Sequence, residues 1–414
     1  MKEDNDNEAG PGLGHSLRAF RNRAYRQLWS GLIVNGFANW ITRLSVGWFV
    51  FDQTGSALLT AISFTMGSAP GLVVAPFGGA IADRLDRRYV LAAAAAAKGL
   101  TTLALAFIAI GGIESTWPLI ALLALTGALN SFELPASQAL IPDVVGPRDA
   151  MNGIALCSVG LRAISAFGAL AGGYLLEIYG PTVAFATGAA LYLAGAMIVV
   201  RVPVQPRRTH AQTDRPSVLA DAREGLRIMV GLPTVRSLLF MTLLVEVMCF
   251  SYAAVLPVLA RDRLGLDESD LGTLTAMAGF GSFLGALLLT RHSEYRHKGL
   301  LLIGVAALYG AGVLGLGLAN LFVLSALVIA LVGMMAAIFD ALQWGLLQAH
   351  VPDAMRARAL GGWMLATSFG WIGHLELGLV SDAIGVHWAL AINGTLIIIV
   401  AAIALVMAQS LKRA

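Results

Sequence analysis

The sequence predicts an all-α membrane protein with twelve transmembrane helices in two six-helix bundles. Hydrophobic residues make up 57% of the chain and only 13% of it is charged, whereas soluble domains are about 25% charged. The apolar residues fall into runs of about 20 or more, the length that a helix needs to cross a bilayer, while barrel strands need only about 10 alternating residues. A single long polar stretch divides these runs into two groups of six.

The twelve predicted spans are residues 27–50, 57–82, 89–112, 117–141, 152–176, 181–201, 236–258, 270–290, 299–318, 320–345, 358–381 and 386–408. Residues 1–26 predict an acidic, glycine-containing cytoplasmic tail that lacks the basic and apolar pattern of a signal peptide. Residues 27–202 are then predicted to form the first bundle, and residues 236–410 the second. Between them, residues 203–235 predict a cytoplasmic loop with an amphipathic helix.

The distribution of lysine and arginine predicts the orientation. These residues collect on one side of the spans, and only Arg261 and Arg263 fall on the other. Since cytoplasmic loops carry the excess of basic residues, we expect both termini in the cytoplasm and the protein in a bacterial inner membrane. The pI near 9.0 then reflects these loops, and no nucleic acid partner is predicted. Cys157 and Cys249 lie in apolar runs and predict neither a disulfide nor a metal site.

The two halves of the chain echo each other. "IPDVVGPRDAMNGIAL" follows the fourth span and "VPDAMRARALGGWML" follows the tenth. A six-helix unit repeated in parallel is typical of a transporter whose site lies between two bundles at mid-membrane. The charged stretch "DRLDRR" joins the second and third spans. Its arginines alone fit a plain cytoplasmic loop, but its two aspartates and the preceding Gly78 and Gly79 favour a latch between the bundles.

With these stretches the chain resembles the major facilitator superfamily. "GGAIADRLDRRYVL" is similar to the superfamily's signature for the loop between helices two and three, with Asp86 where that pattern has glycine. "NWITRLSVGWFVFDQTGSALL", "NSFELPASQALIPDVV", "AREGLRIMVGLPTVRSLL" and "LGTLTAMAGFGSFLGALLL" resemble the bacterial exporter branch that contains the enterobactin and macrolide exporters. The resemblance implies a gating role for Asp83, Arg84, Arg87 and Arg88, which would pin the bundles together in the outward-open state.

Eight charged or histidine side chains lie inside the predicted spans at least one helical turn from either end. A charge at the centre of a membrane helix costs about 2.5 kcal/mol or more, so each calls for a partner or a function. They are Arg43, Lys98, Glu133, Arg162, Glu246, Asp340, His374 and Glu376. Glu133 and Arg162 have similar depths on consecutive helices. They are expected to form a structural salt bridge or a pair that opens when Glu133 takes a proton.

The other charges receive individual interpretations. Glu246 has no obvious basic partner in its half and is the predicted proton-coupling acid. Asp340 lies near the cytoplasmic end of its helix, where a helix-end contact and a transport role are both open. Arg43 and Glu376 lie towards the periplasmic end and are hypothesised to bridge the bundles as an outer gate. Lys98 is expected to snorkel or to form a structural pair.

Further polar side chains could line a cavity between the bundles. They are Asn35, Asn39, Trp40, Asn130 and Gln343. Since polar side chains also join membrane helices to each other, each of them could serve either role. His374 with a single nearby carboxylate, two residues further along the helix, predicts no metal site.

These observations predict a secondary transporter that exports a small, partly hydrophobic molecule in exchange for protons. The sequence contains no P-loop, nucleophile elbow or HExxH motif, so neither an enzyme nor a cofactor is predicted. The expected partners are the substrate, protons and the bilayer, and we expect a monomer. The alternatives are uptake of an organic anion, with Arg43 and Arg162 as ligands, and a non-transporting sensor with the same fold. Because the four buried acids outnumber these two arginines, a neutral or cationic cargo is favoured.

Overall fold

The computed structural model describes residues 17–74, 85–112, 115–203, 227, 229–291, 297–352, 355, 359, 362–364 and 367–408, and every regular element in these ranges is helical. The main helices of the N-terminal half are α1 Arg23–Thr54, α2 Ala57–Met66, α3 Arg87–Gly111, α4 Thr116–Val145, α5 150–179 and α6 181–200. Those of the C-terminal half are α7 Pro233–Arg263, α8 Glu268–Arg291, α9 Lys298–Leu318, α10 Phe322–His350, α11 Trp371–Ile384 and α12 Val386–Met407. The predicted helical fold is therefore confirmed.

Helices α5 and α6 belong to one run, Ala150–Val200, that divides at Gly180. Gly180 has a φ of 78°, in the left-handed region that glycine adopts without a steric penalty. Pro181 follows and has no N–H with which to continue the helix. The chain therefore turns back between α5 and α6 with almost no connecting loop.

Nine helical runs in the described ranges are long and apolar enough to cross a membrane. One of them, Ala150–Val200, contains two of the twelve helices. Helix α1 is absent from this set because Asn35, Asn39 and Arg43 lower its mean hydropathy, and α11 because its helix has only 14 residues. The protein is therefore a multi-pass membrane protein. The polar side chains of α1 indicate that one face of this helix contacts water rather than lipid.

Some sequence predictions fall outside the described residues. Most of the central loop, including residues 204–226, lies there, and so does the first part of the N-terminal tail. Asp83 and Arg84 of the predicted latch also lie outside the described residues. The amphipathic helix and the domain boundaries therefore stay predictions.

A polar layer divides the core of the N-terminal half. One buried apolar cluster includes Leu91 of α3, and a second includes Leu105 of the same helix. Lys98 lies seven residues from each of them, two helical turns or about 10.5 Å. Tyr192 of α6 likewise lies seven residues from buried side chains of both clusters. Polar groups of α1, α3, α4 and α6 thus meet at one depth, midway along the bundle.

The core of the C-terminal half is continuous. A single cluster of buried apolar side chains extends through α7 to α12, includes Tyr309 and Phe339, and continues into the N-terminal half at residues such as Trp48 and Ala169. Helix α7 departs from α-helical geometry in two short π segments, Glu246–Phe250 and Leu259–Arg263. Such insertions are frequent at functional sites, and the first of them contains the predicted coupling acid Glu246.

The two halves meet mainly at one end of the molecule. We call the end where α1 finishes and α2 begins the far end, and the opposite one the near end. Helix α2 packs against α11, and α5 packs against α8. Glycines allow both approaches: a Cβ on Gly272 of α8 would lie 2.8 Å from the carbonyl oxygen of Ala169, and one on Gly378 of α11 would lie 2.5 Å from Ala61. These crossings bring the backbones of the two halves together towards the far end.

Candidate substrate cavity and coupling site

A cavity of about 480 Å³ opens between the halves, lined almost entirely by the N-terminal half. Its wall contains five of the nine predicted cavity and coupling residues, namely Asn35, Asn39, Trp40, Asn130 and Glu133, together with Arg43, which was predicted as a gate residue. The C-terminal half contributes His374 of α11. Apolar side chains such as Leu32, Val46 and Leu123 complete the wall. The cavity therefore combines an apolar surface with a few polar groups, the usual composition of a small-molecule site.

Lys98 is the centre of the polar layer. It is only 1% exposed, and its Nζ lies 2.8 Å from Oε1 of Glu133. The same ammonium donates to Oδ1 of Asn130 at 3.0 Å and lies 4.7 Å from the ring centroid of Tyr192. The Tyr192 hydroxyl in turn donates to Oδ1 of Asn39 at 3.3 Å. One buried cation thus orders three residues that line the cavity, Glu133 and Asn130 directly and Asn39 through Tyr192.

The predicted pair between Glu133 and Arg162 is wrong. Glu133 binds Lys98, because α3 packs beside α4 and carries its ammonium at the same depth. Of the two interpretations offered for Lys98, pairing holds and snorkelling does not. The sequence contains a signal for the buried position of Lys98 that the sequence analysis did not use. Leu91, Lys98 and Leu105 are spaced by seven residues, which places Lys98 on the same helix face as two core residues.

Arg162 of α5 instead pairs with a residue of the C-terminal half. Its Nη2 lies 3.9 Å from Oδ2 of Asp340 on α10, and the two side chains are 55% and 36% exposed. Nε2 of Gln343 donates to Oδ1 of Asp340 at 2.7 Å. Three predicted site residues therefore form one cluster, which lies outside the cavity wall. Glu246 lies close enough to Asp340 for their charges to interact and has no ion-pair partner among the described residues.

The proposed gate between Arg43 and Glu376 is also wrong. The Arg43 guanidinium lies over two aromatic rings, 5.6 Å from the centroid of Trp40 and 5.2 Å from that of Phe64. Glu376 accepts a hydrogen bond from Nδ2 of Asn393 at 2.8 Å, within the C-terminal half. The sequence gives the depth of each side chain in the membrane. Arg43 and Glu376 nevertheless do not meet, because they lie on helix faces that point towards different neighbours.

The contacts that close the far end come from residues that the sequence analysis did not single out. Asp382 of α11 accepts from the backbone N–H of Ala57 at 2.7 Å and of Leu58 at 3.2 Å, and from the Ser56 hydroxyl at 2.9 Å. A carboxylate of one half thus caps the first turn of a helix of the other half. The Ser-Ala-Leu start of α2 predicts a capped helix, but nothing local predicts a cap from a residue more than 300 positions away.

A second polar contact accompanies this cap. Arg261 of α7 forms an ion pair with Asp52 of α1, and its guanidinium lies 5.4 Å from the ring centroid of Trp48. Both contacts join the halves at the far end. The arrangement therefore closes the cavity towards that end.

At the near end, the described latch residues bind within their own half. Arg87 forms an ion pair with Asp143 at 2.5 Å, and Arg88 pairs with Asp86 at 2.5 Å and donates to the carbonyl of Val202 at 2.9 Å. Hydrogen bonds from Arg88 lower the pKa of the Asp86 carboxyl below its usual range. Asp86 also caps α3 by accepting from the Arg88 N–H at 3.0 Å. Whether Asp83 and Arg84 reach the other half stays a prediction.

Comparison with known proteins decides the family. A family model described as transmembrane secretion effector matches residues 15–413. The chain belongs to this family of major facilitator transporters. The chain is 24% identical to macrolide efflux protein A of Streptococcus pyogenes over 388 residues, which cover 90% of this chain and 93% of that protein. It is 26% identical to the enterobactin exporter of Shigella boydii over 312 residues, 75% of this chain and 74% of that protein.

A solved structure shows the same fold. A POT family transporter crystallised with 5-aminolevulinic acid superposes with a TM-score of 0.72 at 13% identity, covering 94% of this chain and 97% of that one. The family match and the efflux relatives make the chain a multi-pass membrane transporter of small molecules, and the solved structure shows that its fold is shared. Within the described ranges, no group of three His, Cys, Asp or Glu side chains could hold a metal ion.

Proposed function

We propose that this protein exports a small, partly hydrophobic molecule from the cytoplasm by alternating access, in exchange for protons. The efflux function of its relatives and the partly apolar cavity support export of such a molecule. On the expected orientation, with both termini in the cytoplasm of a bacterial inner membrane, the closed far end faces the periplasm. The cavity lies within one chain, which supports a monomer as the transporting unit.

The observation that carries proton coupling is the ion pair of Lys98 with Glu133 in the cavity wall. The Lys98 ammonium holds Asn130 directly and Asn39 through Tyr192, so the ionised pair fixes the polar wall that contacts cargo. Protonation of Glu133 removes one charge of the pair and releases that wall, which lowers the affinity for cargo. Proton and cargo then occupy the transporter in alternate states, and this alternation is the requirement for exchange.

The geometry ranks the candidate acids. Glu133 lines the cavity and has a buried cation as its partner, whereas Glu246 lies beside Asp340 and the start of a π segment. We therefore assign proton coupling to Glu133 first and keep Glu246 as the second candidate. The two assignments predict opposite results in one experiment.

The experiment measures the opening of the far end at different pH values, without cargo. Ala61 is fully buried where α2 meets α11, so a cysteine introduced there reacts with a maleimide only when the far end opens. Cys157 and Cys249 are first replaced by serine. At each pH the alkylation rate of Ala61→Cys is divided by the rate of the same protein unfolded in denaturant, which removes the titration of the thiol itself. We expect this ratio to depend on pH in otherwise wild-type protein and in Glu246→Gln, and to lose that dependence in Glu133→Gln. If the dependence is lost in Glu246→Gln and kept in Glu133→Gln, Glu246 is the coupling acid.

A further inference from the structure

Arg43 is a cation in the cavity wall with no carboxylate partner among the described residues. Its guanidinium lies over the rings of Trp40 and Phe64, and these contacts fix its position without neutralising its charge. A charged group at this depth in a membrane protein normally has a partner or faces a water-filled cavity. Arg43 is exposed to the cavity, so its hydrogen-bond donors are available there.

The charges of the cavity wall leave a positive excess. Glu133 is the one carboxylate in the described wall, and Lys98 neutralises it at 2.8 Å. The other buried acids bind elsewhere: Asp340 pairs with Arg162, and Glu376 accepts from Asn393. The count of acids in the sequence favoured a neutral or cationic cargo, but most of those acids do not face the cavity. The wall that cargo contacts carries the uncompensated charge of Arg43.

His374 lies opposite Arg43, on the other half of the molecule. Its ring packs edge-on against Phe64 with the centroids 6.2 Å apart, so His374 and Arg43 both contact the same phenyl ring. Its Nδ1 is buried and has no hydrogen-bond partner among the described residues. A ligand atom bound to Arg43 would thus have a polar atom of the C-terminal half within the same part of the cavity.

We propose that the cargo is an organic anion whose carboxylate binds Arg43 and whose apolar, planar body lies against Trp40 and Phe64; this inference rests on the proposed export function and specifies its substrate class. The guanidinium presents paired N–H donors that match a carboxylate. The carboxylate lies between Arg43 and His374, so binding connects the two halves that move relative to each other. Export of an anion also follows the inside-negative membrane potential, which favours its exit.

A binding experiment tests the substrate class without any proton gradient. The full chain is placed in lipid nanodiscs, and its affinity is measured by titration calorimetry for two pairs of probes, 1-naphthoate with 1-naphthamide and indole-3-acetate with indole-3-acetamide. The members of each pair share their shape and differ in charge. We expect each carboxylate to bind about tenfold tighter than its amide, since a hydrogen bond to a charged group is stronger than a neutral one.

Substitutions then assign the preference to Arg43. Arg43→Gln should abolish it, and Arg43→Lys should keep part of it because the charge remains. Arg261→Gln, which removes an arginine at the far end outside the cavity wall, should leave it unchanged. The proposal is overturned if carboxylate and amide behave alike in the wild type, including when neither binds, or if the preference survives Arg43→Gln. Failure of the pH-dependent alkylation at Ala61→Cys would instead contradict the coupling assignment alone.

Discussion

The two halves of this transporter use their buried polar groups differently. In the N-terminal half, Lys98 and its partners interrupt the apolar core at one depth and face a cavity. In the C-terminal half, the core is continuous, and Asp340 and Gln343 bind each other outside the cavity wall. The six-helix unit thus lines a cavity in the N-terminal half and forms a continuous apolar core in the C-terminal half.

The difference shows why the position of a charge matters more than its presence. A fully buried Lys98 is tolerated because a carboxylate, an amide and an aromatic ring surround its ammonium. Arg162 is exposed and Asp340 is partly exposed, so water already solvates both charges in part. Substitutions of these charged residues should therefore lower the free energy of unfolding by different amounts in the two halves. The experiments below test this difference.

The largest effect is expected from Lys98→Met. It leaves the Glu133 carboxylate without its partner, and breaking a buried pair from one side costs about 3 kcal/mol or more. Thermal unfolding in detergent should show a clear loss of stability. The double variant Lys98→Met with Glu133→Gln should recover most of it, because neither charge remains. Asp340→Asn is the matched change in the other half and should cost less than about 1 kcal/mol. Equal losses for the two single variants would remove the distinction between the halves.

The next largest effect concerns the crossing of α5 and α8. In Gly272→Ala the new methyl group lies 2.8 Å from the carbonyl oxygen of Ala169, which is backbone and cannot rotate away. Overpacking of this kind costs about 1–3 kcal/mol, and here it penalises the state with a closed far end. The alkylation rate of Ala61→Cys should rise. Gly304→Ala provides the control, because nothing lies within 4 Å of its added methyl group. An unchanged rate in Gly272→Ala would mean that this crossing does not limit opening.

A smaller effect is expected at the cap that joins α11 to α2. Asp382→Ala removes three hydrogen bonds across the halves, and loss of a helix cap costs about 1 kcal/mol. The alkylation rate of Ala61→Cys should therefore increase several-fold. Asp52→Asn breaks the exposed ion pair with Arg261 and should change the rate less. If Asp52→Asn has the greater effect, the ion pair rather than the cap holds the far end closed.

The smallest effect is expected for Asp86→Ala at the near end, where α3 loses its cap, at a cost of about 0.5 kcal/mol. The pKa of Asp86 is lowered in the folded protein by its hydrogen bonds with Arg88. Its contribution is therefore present above the pKa of the unfolded chain, about 4, and is lost as pH falls through the folded value. Thermal unfolding of wild type and Asp86→Ala should differ at pH 7, and the difference should shrink as the pH falls below about 4. A difference as large at pH 3 as at pH 7 would contradict the role of the carboxylate.

Which side chains share a depth could be read from the sequence, but which of them touch could not. Glu133 and Arg162 do lie at similar depths, yet Glu133 turns to Lys98 and Arg162 turns to Asp340. A rise of about 1.5 Å per residue gives depth directly. The direction in which a side chain points depends on the rotation of each helix and on its neighbours, which long-range packing sets. Arg43 and Glu376 were misassigned for the same reason.

The sequence by itself determined the membrane class and the helical fold, and it named Asn35, Asn39, Trp40, Asn130 and Glu133 as candidates for a cavity wall, because hydropathy and the cost of buried charge act locally along a helix. Only the tertiary structure decided that Lys98 is the partner of Glu133, that Asp382 caps α2, and that Arg43 faces the cavity over two aromatic rings. Each of these arrangements brings together residues from different helices that are distant in the sequence. A single sequence records which charges are buried, but their partners follow from how the helices pack.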